Sequence, residues 1–420
     1  MGFIPLSHDA HKPDRGRGPI VERAGDGPVL RWPAVRGTKT AMAMARHAEV
    51  AGAGFGGLVA AVALAGRGWS VRLHERQPAL RAEGFGIAIM PNVARLFRAL
   101  GLHARIVLGG IRIDHWEHQN GNGRRLVPVV DLHDSFRISR HHIIATLAAC
   151  AHRLGVEIVT ASSVVAVDPE GAVVLEGGRR WPADLVVVAD GINSAMPEML
   201  GLRRRRLPQG EGGVRMTIPR LPEDVARDIE RGTRLTEAWA AGRRLLWCPN
   251  TEDTLYAILT CPTSDVSGRA TPLDTAAWTA TFPALAPLLA RIRDHTDWSH
   301  CRWAEFETVI LPRWSAGRVA ILGDAAHAMT PYLGQGAGTA MMNALSLAVH
   351  LDRYLDTERA LAAWEATERP HTEHTQRWSR HYGWTLAMPD PLKPLWLRAK
   401  RLPPLARRFG ATARRVPTGC

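Results

Sequence analysis

Lysine is nearly missing from this 420-residue chain: it occurs only at Lys12, Lys39, Lys393 and Lys400, so the stretch 40–392 uses arginine alone. Any mechanism that needs a lysine in the body of the chain, such as a Schiff base, is excluded. Cysteine is scarce too. Cys150, Cys248, Cys261, Cys301 and Cys420 are odd in number and scattered, with no C-x-x-C pair. That pattern excludes a metal site built on thiolates and fits small buried thiols in a reducing cytoplasm. No apolar run reaches the ~18 residues of a membrane-spanning helix. Residues 1–45 lack the apolar stretch of a signal peptide. They are rich in Gly, Pro and Arg with little periodicity, and read as a disordered or misassigned extension, the true start being Met42 or Met44.

The formal net charge is +13, but it is concentrated at the ends. Residues 1–45 carry +3 and residues 391–420 carry +8, leaving about +2 for the body. This distribution argues against a nucleic-acid partner. The basic tail reads as a solvated end, and the arginine run at 203–206 as a solvated turn.

What is present is glycine in ordered places. "AEVAGAGFGGLVAAVALAGRGWSVRLHER", residues 48–76, reads as strand, glycine turn, alanine-rich helix and second strand. Gly52, Gly54 and Gly57 form G-x-G-x-x-G, with Phe55 and Gly56 between them. The first glycine permits the tight turn, the second a close approach to a pyrophosphate, and the third close packing of helix on strand. Glu75, followed by Arg76, ends the second strand 18 residues after Gly57. An acid there accepts hydrogen bonds from a ribose without a 2′-phosphate, which points to FAD or NAD.

Two further motifs follow in order. "DLVVVAD" is a buried strand of branched residues that delivers Asp190 and Gly191 to its carboxyl end. "RVAIL" precedes "GDAAHAMTPYLGQGAG", residues 323–338, in which nearly every residue is small. The ordered trio resembles the class A flavoprotein monooxygenases, single-component aromatic hydroxylases with the p-hydroxybenzoate hydroxylase fold, over about residues 46–370. The resemblance implies roles residue by residue. Gly52, Gly54, Gly57 and Glu75 match the ADP-binding fingerprint. Arg140 matches an arginine that begins a helix and contacts FAD. Asp190 and Gly191 match a motif implicated in FAD and NAD(P)H binding. Gly323 and Asp324 match the motif whose aspartate holds the ribityl hydroxyls. Pro331 and Gly334-Gln335-Gly336, with Ala337, match the loop against the isoalloxazine ring. A wall without side chains at Gly334, Gly336 and Gly338 suits a flat ring. His327 is as compatible with packing as with chemistry.

The chain departs from that family at Pro197, where an arginine is usual, and at Ala337-Gly338 and Met342-Asn343, where Ala-Asn and an acidic pair are usual. From 207 to 304 the pattern becomes strand-like pieces followed by proline-broken helices, as expected of an antiparallel sheet roofing the cofactor. Met216, Trp247 and Tyr256, on those strands, together with Pro331, are the expected substrate contacts. No catalytic base and no metal ligand is identified.

The expected architecture is α/β. A Rossmann-like FAD-binding domain (46–113, 134–206 and 305–375) carries an inserted antiparallel substrate domain (114–133 and 207–304). Residues 376–420 form a C-terminal helix and basic tail. The implied activity uses FAD, NADH or NADPH, and O2 to hydroxylate or epoxidise an aromatic or olefinic small molecule through a flavin C4a-hydroperoxide. A cytoplasmic monomer or homodimer is expected. A reductase of the geranylgeranyl-reductase type and an FAD-binding protein without turnover are the alternatives. A flavin-dependent halogenase is disfavoured, because it needs a lysine that the body lacks.

Overall fold

The computed structural model describes residues 46–80 and 84–420; the expected extension at 1–45 lies outside the described residues. Six strands form one sheet in the spatial order Ser315–Ala316, Val319–Ile321, Leu185–Val188, His47–Ala51, Ser70–His74, Glu157–Val159. All neighbours are parallel except the first pair. Leu185, Val186, Val187 and Val188 are buried throughout, as a strand covered on both faces requires.

The helix Phe55–Ala65 packs on this sheet with its first ten residues buried. Its small side chains are the reason. A Cβ on Gly57 would lie 1.9 Å from the Gly52 carbonyl oxygen, and one on Gly56 would lie 2.7 Å from Leu322 Cδ1. Close approach lets Leu58, Val59 and Leu64 join the main core without a gap. Burial of such side chains stabilises by about 1.5–3 kcal/mol each.

Seven strands form a second sheet, in the order Ala304–Ile310, Arg205–Pro219, Thr254–Pro262, Arg243–Pro249, Arg234–Ala240, His115–Asn120, Val130–Asp131. Its neighbours are antiparallel, except that His115–Asn120 runs parallel to Arg234–Ala240. Alternation gives this roof two faces. Val214, Met216, Ile218, Leu245, Ala257 and Leu259 point into a core shared with Trp278, Leu289 and Ile292 of two covering helices and with Phe282 between them. Leu246, Cys248, Tyr256, Ile258 and Phe306 point the other way, toward Tyr332 and Leu333 of the small-residue loop.

The C-terminal region is more structured than a solvated tail. A helix of 31 residues, Thr357–Ala387, is followed by helices Lys393–Ala399, Pro403–Phe409 and Ala411–Arg414. Their charges are used internally. Arg415 pairs with Glu368 at 2.9 Å, Lys393 pairs with Asp390, and Lys400 is buried. The run at 203–206 is solvated at Arg203, Arg205 and Arg206, as expected, but it is no turn. Arg204 bonds Glu198 and the Ile192 carbonyl at 2.9 and 3.0 Å, and Arg205 begins the longest roof strand. Arg415, Lys393 and Arg204 thus found acceptors that local composition does not reveal.

Candidate active site

Four motifs far apart in sequence meet at one edge of the parallel sheet. Gly52, Glu75, Asp190 and Gly323 each follow the carboxyl end of an adjacent strand, where open α/β sheets place their ligands. Main-chain bonds lock the convergence: Gly52 N–H to the His74 carbonyl at 2.8 Å, Ala189 N–H to Ala51 at 2.8 Å, and Leu322 N–H to Val188 at 3.0 Å. Gly52 has φ +102°, and a Cβ there would lie 2.5 Å from the Ala189 carbonyl oxygen. Gly54 is different, because a Cβ there would meet nothing within 4 Å. Its missing side chain leaves open space in front of the first amides of the helix Phe55–Ala65, which is the geometry that accepts an anion.

Glu75 is half-buried. Its Oε2 accepts from Ala53 N–H at 3.1 Å and its Oε1 from Gln77 N–H at 3.0 Å. Arg76 stands exposed at the rim, near enough to draw the Asp190 carboxyl downward. Burial outweighs that pull and raises Asp190 above the usual carboxylate range. Asp190 Oδ1 is buried without a hydrogen-bond partner among the described residues. Gly191, at φ +95°, faces open space. The expected arginine position, Pro197, is instead a buried first-turn residue of the helix Met196–Met199, where proline is favoured. Arg204 supplies a cation beside Asp190.

Ser139 caps the helix Arg140–Arg153, its Oγ accepting from His142 N–H at 3.2 Å. Arg140 is the first residue of that helix, with its guanidinium 4.7 Å from the centre of the Phe55 ring. Asp324 opens into the cleft beneath the roof, flanked by Arg140 and Arg215. Enclosure by protein raises its carboxyl above the usual range, while the two arginines pull the other way.

His327 is a packing residue. It is buried, its Nε2 accepts from Gly323 N–H at 3.1 Å and meets Asn343 Nδ2 at 3.0 Å, and its ring lies 5.0 Å from Trp314. Burial lowers it to about 4, so it is neutral and free to accept. Asn343 also donates to Thr372 Oγ1 at 3.1 Å. The departure from an acidic pair at 342–343 thus has a structural use: the amide ties this helix to the turn at Gly323.

In the small-residue loop, Pro331 begins a short turn and Gly334 takes the left-handed conformation at φ +62°. A Cβ on Gly334 or Gly336 would meet nothing closer than 3.7 Å, so both leave the cleft open. Gly338 does not belong to that wall. A Cβ there would lie 2.7 Å from Val93 Cγ2, so its smallness serves helix packing. Gln335 turns inward, its Oε1 accepting from Asn92 Nδ2 at 2.9 Å. Half-buried Ala337 follows Gly336 in the first turn of the helix Gly336–Arg353, whose amides face the loop.

Of the expected substrate contacts, the structure brings Tyr256 and Pro331 to the cleft side. Met216 and Trp247 are corrected: they flank Ala257 across the sheet and pack on its far face. The strand "GVRMTIP" carried the signal. Its apolar parity, Val214, Met216 and Ile218, is core, so Arg215 and Thr217 line the cleft. Sequence reasoning also missed Phe85, 5.8 Å from Tyr256, and Arg137, 3.9 Å above the Tyr256 ring. Glu211, beside the Tyr332 hydroxyl, is pushed up to about 7 by burial, with Tyr332 and Arg244 opposing.

A glycine-lined edge of a parallel sheet, roofed by an antiparallel sheet, points to the class of protein, and comparison with known proteins agrees. The FAD binding domain family matches residues 47–379. A putative 2-heptyl-3-hydroxy-4(1H)-quinolone synthase of Rhodococcus erythropolis is 40% identical, over 85% of this chain and 92% of that one. A 2-heptyl-3-hydroxy-4(1H)-quinolone synthase of Mycobacteroides abscessus is 36% identical, over 83% and 92%. Among solved structures, the tetrameric form of 2-methyl-3-hydroxypyridine-5-carboxylic acid oxygenase superposes with a TM-score of 0.78 at 33% identity, covering 90% of this chain and 98% of that one. The chain belongs to the FAD-binding family of class A flavoprotein monooxygenases. It is an FAD-dependent monooxygenase acting on an aromatic substrate with NAD(P)H as co-substrate; neither the reductase nor the turnover-free alternative finds support. No helix among the described residues is long and apolar enough to cross a membrane.

Proposed function

We propose that this enzyme hydroxylates an oxo- or hydroxy-substituted N-heteroaromatic ring of the 2-alkyl-4(1H)-quinolone kind, at carbon 3, consuming O2 and NADH or NADPH and releasing water. The observation that carries this reading is 40% identity spread over 92% of the length of a putative quinolone synthase, rather than confined to the cofactor motifs.

The residues present fit FAD. Gly54 leaves room for the pyrophosphate against the helix amides, with Gly52 and Gly57 shaping the turn and Phe55 and Gly56 seating the helix. Glu75 faces the adenosine ribose, with Arg76 at the rim. Asp324 accepts from the ribityl hydroxyls while Arg140 balances its charge. Asp190 and Gly191 border the dinucleotide, the orphaned Asp190 Oδ1 being one acceptor in search of a donor. Pro331, Gly334, Gly336 and Ala337 form the wall for the ring, and Gln335 holds that wall from behind. Bound FAD supplies the redox chemistry that reduces O2 and delivers one oxygen atom to the substrate. The protein's part is to seat the ring beneath Tyr256 and to keep water out with the buried aromatic face of the roof, since water otherwise discharges the oxidant unproductively. On this reading 46–113, 134–206 and 305–375 hold the cofactor and 114–133 with 207–304 hold the substrate.

A cytoplasmic monomer or homodimer is part of the same proposal. Exposed apolar side chains Leu108, Ile229 and Leu355 lie far apart in sequence, whereas Trp384, Leu392, Leu395 and Leu402 all belong to the C-terminal region, the stretch to examine for a subunit contact. Light scattering on the purified protein decides this against a tetramer. The activity itself is tested with purified yellow protein, NADH or NADPH, and 2-heptyl-4(1H)-quinolone. Stoichiometric O2 uptake and a product heavier by one oxygen support the reading; NAD(P)H oxidation without any quinolone turnover overturns it.

A further inference from the structure

Arg137 is a buried cation that makes no ion pair among the described residues. It sits in the middle of the short strand Phe136–Ile138, pairs across to Ala88 and Ile111, and is 6% exposed. Its Nε and Nη2 are buried and have no hydrogen-bond partner among the described residues. The contact described for the guanidinium is the face of Tyr256, 3.9 Å below it. A buried guanidinium with idle donors is costly unless a ligand completes it.

The direction of the side chain follows from strand pairing. Residues directly opposite across a sheet point to the same face. Ala88, the partner of Arg137, directs its Cβ toward the small-residue loop, 3.8 Å from where a Cβ on Gly334 would stand. Arg137 therefore points to the same side, between the glycine wall and the roof residue Tyr256. Phe85, 5.8 Å from Tyr256, lies alongside. The result is one flat-walled space with a cation at its edge.

We propose that Arg137 is a specificity-determining residue that grips the oxygen substituent of the substrate ring, the 4-oxo group of a quinolone or the corresponding oxygen of a hydroxypyridine. This rests on the aromatic N-heterocycle reading above. Tyr256 holds the guanidinium plane, so its two idle nitrogens are aimed before the substrate arrives. A cation there also favours the deprotonated form of the ring, the proton passing to solvent, and that anion donates electrons to electrophilic oxygen more readily than the neutral ring does. A planar fork suits this task better than an ammonium.

The test uses the FAD-loaded enzyme and reads ligand binding by perturbation of the flavin spectrum. Two matched pairs serve as probes: 2-heptyl-4(1H)-quinolone against 2-heptylquinoline, and 6-hydroxynicotinate against nicotinate. The wild type is expected to prefer the oxygenated member of at least one pair by about 10- to 100-fold, the worth of a hydrogen bond to a charged group. Arg137→Met is expected to abolish that preference while retaining FAD, and Arg137→Lys to keep part of it. A preference seen only for the nicotinate pair keeps the role of Arg137 and discards the quinolone. The proposal is overturned if Arg137→Met keeps the wild-type ratio or if the wild type discriminates in neither pair. Loss of FAD from both variants also overturns it, because the arginine then serves the cofactor or the fold.

Discussion

The Tyr382 hydroxyl donates to Glu237 Oε2 at 2.6 Å, joining the long C-terminal helix to the roof sheet inside the protein. Around this bond, His118 Nε2 lies 2.8 Å from the Tyr382 oxygen, and Arg244 Nε donates to Glu237 Oε1 at 3.1 Å. Glu237 is fully buried, yet Arg244 and His118 with the Tyr382 bond overcome its desolvation and hold its carboxyl below the usual range. Tyr382→Phe removes one donor to a buried charge and leaves His118 without its acceptor. We expect a loss of about 1–3 kcal/mol, measured by denaturant unfolding with FAD present. An unchanged midpoint would mean that the helix is held by its apolar face alone.

Lys400 lies 3.4 Å above the Tyr382 ring with its Nζ buried and unbonded, and burial lowers it to about 7. The unfolded chain keeps this proton up to its ordinary value of 10.5, the folded chain only to about 7. Stability therefore rises with pH across that window, and the penalty is complete below it. Lys400→Met keeps the length and removes the charge. Its melting temperature is expected to exceed that of the wild type by at least a few degrees at pH 6, and the gap is expected to close near pH 10. A gap independent of pH would show that charge burial is not the cause.

Gly54 and Gly57 separate folding from cofactor binding. Alanine at 57 drives a Cβ to 1.9 Å from a backbone oxygen, whereas alanine at 54 meets nothing within 4 Å. Gly57→Ala is expected to yield unstable, colourless protein. Gly54→Ala is expected to leave the apoprotein melt within about 1 kcal/mol of wild type and to weaken FAD binding at least tenfold. Calorimetric titration of apoprotein with FAD checks both; normal FAD affinity in Gly54→Ala would remove the pyrophosphate from that position.

Acid stability depends on opposed groups. His118 and His327 are each lowered to about 4 by burial, so the unfolded chain takes up their protons first as the pH falls below 6.5, and stability declines. Glu211 is raised to about 7, so in the folded state it binds a proton over 4.5–7 that the unfolded chain does not, and stability grows as the pH falls. Glu211→Gln deletes the compensating group. Its melting temperature should fall more steeply than that of the wild type between pH 6.5 and 4.5. Parallel curves would place Glu211 in water.

Much of the glycine-lined sheet edge was legible because its signals are local. Gly52, Gly54, Gly57, Asp190 and Gly323 stand immediately after buried strands, and a turn that needs positive φ or close approach restricts residue type within a few positions. The alternating strand "GVRMTIP" was legible as a strand, but its functional parity was not. Met216 looked like a pocket residue until Trp278 and Ile292 were seen to cover that face. Gly338 looked like cleft wall until Val93 was found against it.

By itself, then, the sequence determined the FAD-binding sheet edge, its family and its chemistry, since these rest on short-range backbone requirements. Only the tertiary structure decided which face of the roof meets the cleft, that the basic tail is docked, and that Arg137 ends at Tyr256. Those depend on which distant elements come together, and a side chain's burial and unmet hydrogen bonds exist only once they have.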